Sequence, residues 1–85
     1  MKEHELKSWP ENFGAVLDGR PFEVRKFDRQ FEVGDTLLLR EWDPVTEMYT
    51  GGKCRRDVTH ILSGAPGIDP DYCVLGISGS PERDA

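Results

Sequence analysis

The sequence predicts an α+β domain: a small β-barrel of about five or six mostly antiparallel strands with one or two short helices. Three observations lead there. Apolar residues recur at every second position in several short runs, such as "FEVRK" at 22–26 and "YCVLGIS" at 72–78, as half-buried strands require. Only residues 13 to 17 space them at three and four, which puts Phe13, Val16 and Leu17 on one helical stripe. Clusters rich in glycine, proline and aspartate, among them "DPVTEMYTGG" and "SGAPGIDPD", separate the runs as turns. At 85 residues the chain is one small domain, and a domain of that size buries only about 60 to 65% of the surface its unfolded chain exposes. Closing the sheet removes edges that so small a fold would otherwise leave bare.

The elements follow in order. "HELK" alternates as a short strand, with Leu6 on one face and Glu5 and Lys7 on the other. "SWPE" sets Ser8 ahead of Glu11 in the spacing of a capping box, and Pro10 suits a first helical turn because its missing donor would have no partner there. The helix runs about ten residues and ends at Gly19, which can adopt a left-handed cap without strain. From Pro21 the period becomes two, so Phe22 and Val24 are expected to face the core while Glu23 and Arg25 face solvent or a ligand. "KFDRQ" reads as a loop. Phe31 and Val33 precede a turn at Gly34 and Asp35, and the next strand sends Leu37 and Leu39 inward with Leu38 covered on the opposite face. Asp43 and Pro44 open a hairpin connection, Gly51 and Gly52 permit a bulge, and "KCRRDVTHIL" returns as a strand. "YCVLGIS" is the last strand. Residues 1–78 thus form the single domain, and "GSPERDA", 79–85, reads as a flexible C-terminal tail.

A net charge of -5 and a pI near 4.9 exclude a protein that coats nucleic acid through a broad cationic surface. They leave room for a local basic cleft. "GRPFEVRKFDRQFEVGD", 19–35, gathers four arginines or lysines among three phenylalanines, whereas many of the acids lie near the two ends of the chain. No run approaches the roughly 20 apolar residues that cross a bilayer, so no membrane role is expected. "MKEHELKSW" also lacks the apolar core of an export signal, which points to the cytoplasm. Cys54 and Cys73 are then expected as thiols in a reducing compartment. With His4 and His60 they are the cysteine and histidine zinc ligands on offer, but no CxxC or HxxxH pair preorganises them. No metal and no cofactor is expected.

"HELKSWP", "GRPFEVRK", "DRQFEVGDTLLLREW" and "YCVLGI", in this order from His4 to Ile77, resemble the small bacterial and phage proteins that carry an ASCH domain, within the PUA-like superfamily. The most specific part is the signature G-x-K-x-x-E-x-R after the first helix. The resemblance implies a PUA-like barrel with a cleft between helix and barrel, and a role in binding RNA or a modified nucleoside or nucleotide. Some relatives of this kind are amidohydrolases acting on an N4-acylated cytidine, and others are ribonucleases. Here the segment from Gly19 to Arg25 is one residue shorter than the signature, and the lysine position falls on Arg20 or Pro21. An arginine keeps its proton to a pH of about 12 and beyond, so Arg20 can hold an anion but is a poor base. Binding is therefore expected over hydrolysis.

Seven residues form the expected binding set: Lys7, Trp9, Arg20, Glu23, Arg25, Lys26 and Arg29. Glu23 and Arg25 match the E-x-R of the signature; Arg25 would contact phosphate or a base edge, and Glu23 would accept from an exocyclic amine such as cytosine N4. The plain alternative is a solvated ion pair worth less than ~1 kcal/mol. Trp9 is the expected stacking platform, while Trp42, Phe13, Phe22 and Phe31 are expected to pack. For a hydrolase the candidates are Lys7, Glu23 and Glu41, with His4 or His60 as acid or base. A third reading, from another class, is a protein-interaction module using the hairpin near Met48 and Tyr49; its protein partner is unspecified.

Overall fold

Alternation builds the sheet. The structure, a computed structural model, describes residues 1–78; the tail expected over 79–85 lies outside the described residues. The elements are β1 (Glu3–Ser8), α1 (Pro10–Leu17), β2 (Phe22–Lys26), β3 (Thr36–Asp43), β4 (Met48–Leu62) and β5 (Tyr72–Ser78). The strands form one sheet in the order β1-β3-β4-β5-β2. β1 runs parallel to β3, and every other neighbouring pair is antiparallel. The α+β class and mostly antiparallel strands are as expected. The ladder is open, however: β1 and β2 are its two edges, and no pairing joins them among the described residues.

The core lies on one face. β1 buries His4, Leu6 and Ser8 in strict alternation, β3 contributes Leu37 and Leu39, β4 Cys54 and Val58, and β5 Cys73, Leu75 and Ile77. Phe13 and Val16 of α1 and Phe31 of the β2–β3 loop complete the cluster. Leu38, on the opposite face of β3, is buried as well. Both cysteines are core residues, and burial, reinforced by the Asp28 carboxylate, pushes the Cys73 thiol up from its ordinary pKa. No helix among the described residues is long and apolar enough to cross a membrane.

Three local expectations are corrected. Ser8 does not cap α1: it is the last residue of β1 and buried, while Trp9 occupies the N-cap position with no side-chain cap bond. The helix is also shorter than expected, ending at Leu17. Phe22 is not core, because β2 faces the other way: Phe22 and Val24 are 38% and 58% exposed, whereas Glu23 is 2% exposed. The Gly19 cap forms as expected, with φ at 107°. Gly19 N–H donates to the Val16 carbonyl at 3.0 Å and Arg20 N–H to the Ala15 carbonyl at 2.9 Å, the paired reverse bonds that close a glycine-terminated helix.

The β3–β4 hairpin carries the expected bulge. Arg40 pairs with Lys53 and Trp42 with Tyr49, so Glu41 faces an expanded segment containing Gly51 and Gly52. A Cβ at Gly52 would meet Glu41 Oε1 at 3.1 Å and Phe13 Cε2 at 3.2 Å, so a larger residue there would require these side chains to shift by a few tenths of an ångström. The turn before β3 is held by Asp35. Its buried carboxylate accepts from His4 Nε2 at 2.8 Å and from the N–H groups of Lys2 and Glu32, each at 3.0 Å. These bonds, the His4 one foremost, lower its pKa to about 2. His4 therefore anchors β1 structurally. His60 bonds Thr59 on an exposed part of β4 and joins no cavity described below.

Candidate functional site

The open seam of the sheet is a groove. Two cavities, of about 310 and 390 Å³, lie side by side between β1 and the end of β2, and Lys7 and Arg25 line both. The first is walled by Ser8, Trp9 and Asn12 on one side and by Arg20 and the β2 residues Phe22 to Arg25 on the other. The second is walled by Leu6, Phe31 and Tyr49, with Lys26 and Arg29 among its polar groups.

The reversed facing of β2 makes the first cavity polar. β2 is an edge strand paired only with β5, and its inner residues Glu23 and Arg25 lie opposite Leu75 and Cys73 of β5 while lining the first cavity. Glu23 and Arg25 are the more buried residues of the strand, and Phe22 and Val24, which also line the cavity, are exposed. The outward Phe22 ring is shielded by the Arg20 guanidinium, whose carbon lies 5.1 Å from the ring centre.

Glu23 is the floor of the cavity. Its Oε2 accepts from Arg20 Nη2, and its Oε1 accepts from Arg25 Nε at 3.0 Å and lies 2.9 Å from Arg25 Nη2. Arg20 can reach because the glycine cap of α1 turns the chain at that point. The same guanidinium also donates to the Phe22 carbonyl at 2.9 Å and to Asn12 Oδ1 at 3.3 Å, tying helix to strand. A carboxylate clamped by two guanidiniums has fixed orientation and leaves the cluster a net positive charge.

The remaining lining is graded. Trp9 stands at the rim, 54% exposed. Ser8 Oγ is buried in the wall and has no hydrogen-bond partner among the described residues. The Lys7 ammonium lies 3.9 Å from the Trp42 ring centre, and Trp42 meets Tyr49 edge to face at 5.0 Å. Arg40 stacks on Tyr49 at 3.8 Å while bonding Glu5 at 2.9 Å. Across both cavities five cations, Lys7, Arg20, Arg25, Lys26 and Arg29, meet three carboxylates, Glu5, Glu23 and Asp28, so the groove is locally positive in an acidic chain.

All seven expected binding residues line this groove: Lys7, Trp9, Arg20, Glu23 and Arg25 the first cavity, Lys26 and Arg29 the second. Of the hydrolase set, Lys7 and Glu23 share a cavity, but Glu41 lines neither and accepts from Thr50 Oγ1 at 2.6 Å beside the bulge. Trp42 packs as expected. Sequence reasoning missed Ser8 and Asn12 as lining residues. The alternation of "EHELKS" was the available signal for Ser8, since it puts positions 4, 6 and 8 on one face.

With fold and groove described, the comparisons give the family. The chain belongs to the family described as Domain of unknown function (DUF3850), whose model matches residues 3–77. That span runs from the start of β1 almost to the end of β5. A relative, the "Uncharacterized 12.9 kDa protein in GpA 3'region" of Escherichia phage P2, is 39% identical over 75 residues. The match covers 87% of this chain and 66% of the relative, slightly less than two thirds of its length.

Proposed function

We propose that the protein binds RNA or a modified nucleoside or nucleotide in the groove between β1 and β2, acting in the cytoplasm. The observation that carries this reading is the Glu23 carboxylate, buried and fixed by Arg20 and Arg25 beneath an exposed Trp9. A base slid under the indole gains stacking worth ~1 to 3 kcal/mol. Its exocyclic amine can donate to a remaining lone pair of Glu23. Because the two guanidiniums already hold the carboxylate, little ordering remains to be done on binding. Lys7 and Arg25 then face the phosphate. The ASCH resemblance agrees with this reading, which takes the open five-stranded sheet as a PUA-like barrel left unclosed between β1 and β2, the binding mouth.

The hydrolase reading has Lys7 and Glu23 in one cavity in its favour. It is weaker because Glu23 is committed to two guanidiniums and Lys7 rests on Trp42, so neither group is placed as an unengaged base. The interaction-module reading has the exposed Met48, but Tyr49 is engaged by Arg40 and Trp42. The test is a titration of tryptophan fluorescence with short single-stranded RNAs and nucleosides. Binding should quench the signal, and Arg25→Ala should weaken the affinity about tenfold or more, the loss of a charge-assisted contact. No response to any RNA, nucleoside or nucleotide defeats the proposal.

A further inference from the structure

We infer that the ligand is a strand rather than a monomer: the groove holds two consecutive nucleotides, one base in each cavity, with the connecting phosphodiester at Lys7 and Arg25. This rests on the function proposed above and adds a second base site, walled by Tyr49, Leu6 and Phe31, to the one under Trp9.

Size comes first. Cavities of about 310 and 390 Å³ are each at the lower end of small-ligand pockets. Either alone suits one nucleoside, and a single nucleoside leaves the other unfilled. The second point is where the cations sit. Lys7 and Arg25 line both cavities and so stand at their junction. Of the three carboxylates, Glu5 and Asp28 line the second cavity, bonded to Arg40 at 2.9 Å and to Arg29 at 3.4 Å, and Glu23 lines the first, shared between Arg20 and Arg25 so that with Lys7 this part of the groove stays net positive. A negative group is therefore best placed between the cavities and not in the second one. Thirdly, each cavity has its own aromatic residue. Trp9 belongs to the first; Tyr49, held in place by Arg40 and Trp42, lines the second beside the apolar Leu6 and Phe31. An apolar wall suits the face of a base and gives nothing to a polyphosphate. A nucleotide with a chain of phosphates would match the junction but not what lies past it.

Calorimetric titration of the full chain decides the matter, using the ribonucleoside monophosphates, the complete set of ribodinucleotides and a nucleoside triphosphate. At least one dinucleotide should bind about tenfold or more tighter than the best monophosphate, the gain from stacking one further base. Tyr49→Ala, at an exposed hairpin position, should lower dinucleotide affinity by a larger factor than monophosphate affinity; Arg29→Ala, on the same cavity, is a second variant with the same expected difference. Trp9→Ala should weaken both ligands. Equal affinity for monophosphates and dinucleotides, an equal effect of Tyr49→Ala on both, or tightest binding by the triphosphate overturns the two-nucleotide site and leaves a mononucleotide pocket at Trp9. Heat with none of these ligands overturns that pocket as well.

Discussion

Two buried carboxylates divide the work of this small fold. Glu23 belongs to the groove. Replacing it by Gln keeps its size and one acceptor oxygen but leaves Arg20 and Arg25 without a shared counter-charge, so Glu23→Gln should lower stability by ~1 to 2 kcal/mol. For a domain of this length that corresponds to a fall in Tm of roughly 4 to 16 °C, which a thermal melt would detect; an unchanged Tm would mean that the clamp is only a solvated pair. Asp35 belongs to the scaffold. Its pKa is depressed from 3.8 to about 2, chiefly by the His4 hydrogen bond, so the folded state holds the ionised form more tightly than the unfolded chain does. The stabilisation is therefore complete above the unfolded value and is lost as pH falls through the folded one, across a window from about pH 4 down to about pH 2. Urea midpoints measured through that window should decline in the wild type. Asp35→Asn should be less stable at neutral pH and show a flatter acid limb, and parallel curves for the two proteins would contradict the assignment.

Among the elements, α1 and β2 are where sequence pattern and structure part. The period of "FEVRK" fixes two faces but does not say which is inner; hydrophobicity selects Phe22 and Val24, and the choice fails because the inner face of this edge strand looks into a polar cavity. "SWPE" fits a capping box and "EHELKS" fits a strand, and the two claims compete for Ser8. Packing into the β1–β3 ladder wins, and Trp9 is left at the N-cap with no side-chain oxygen to offer the helix. Its backbone is extended there, at φ -66° and ψ 154°, as capping residues require. A residue poor for the helix but good for stacking, at the mouth of the groove, is the kind of local conflict that functional sites retain. Trp9→Asp should accordingly raise stability by ~1 kcal/mol through a new cap and, on the proposed function, weaken RNA binding as read by anisotropy of a labelled strand. Loss of both would mean that the indole is a structural residue. In the hairpin, Gly52→Ala should cost ~1 to 3 kcal/mol by overpacking against Glu41 and Phe13, measured as a shift of the urea midpoint.

For the molecule as a whole, composition and local clustering speak to different questions. The strands and the helix were legible because their periods differ, and five of the seven groove residues stood out because cations and aromatics crowd residues 19–35, while Lys7 and Trp9 stood out by their place beside the helix start. The open edge between β1 and β2 was not, since alternation marks strands without saying which of them pair. Net charge set the scale of any electrostatic contribution. A chain at -5 repels a polyanion overall while its groove is locally positive, so few phosphates can be neutralised at once. Single-stranded binding loses affinity with a logarithmic slope of about -0.7 per phosphate neutralised. One junction phosphate and one neighbour give a slope of about -1 to -1.5, so raising salt from roughly 50 to 200 mM should weaken RNA binding only about four- to eightfold. Anisotropy titrations across that range measure the slope directly. A flat line would remove the cations of Lys7 and Arg25 from recognition, whereas a slope several times steeper would mean that the strand is held along an extended surface and not in this short groove.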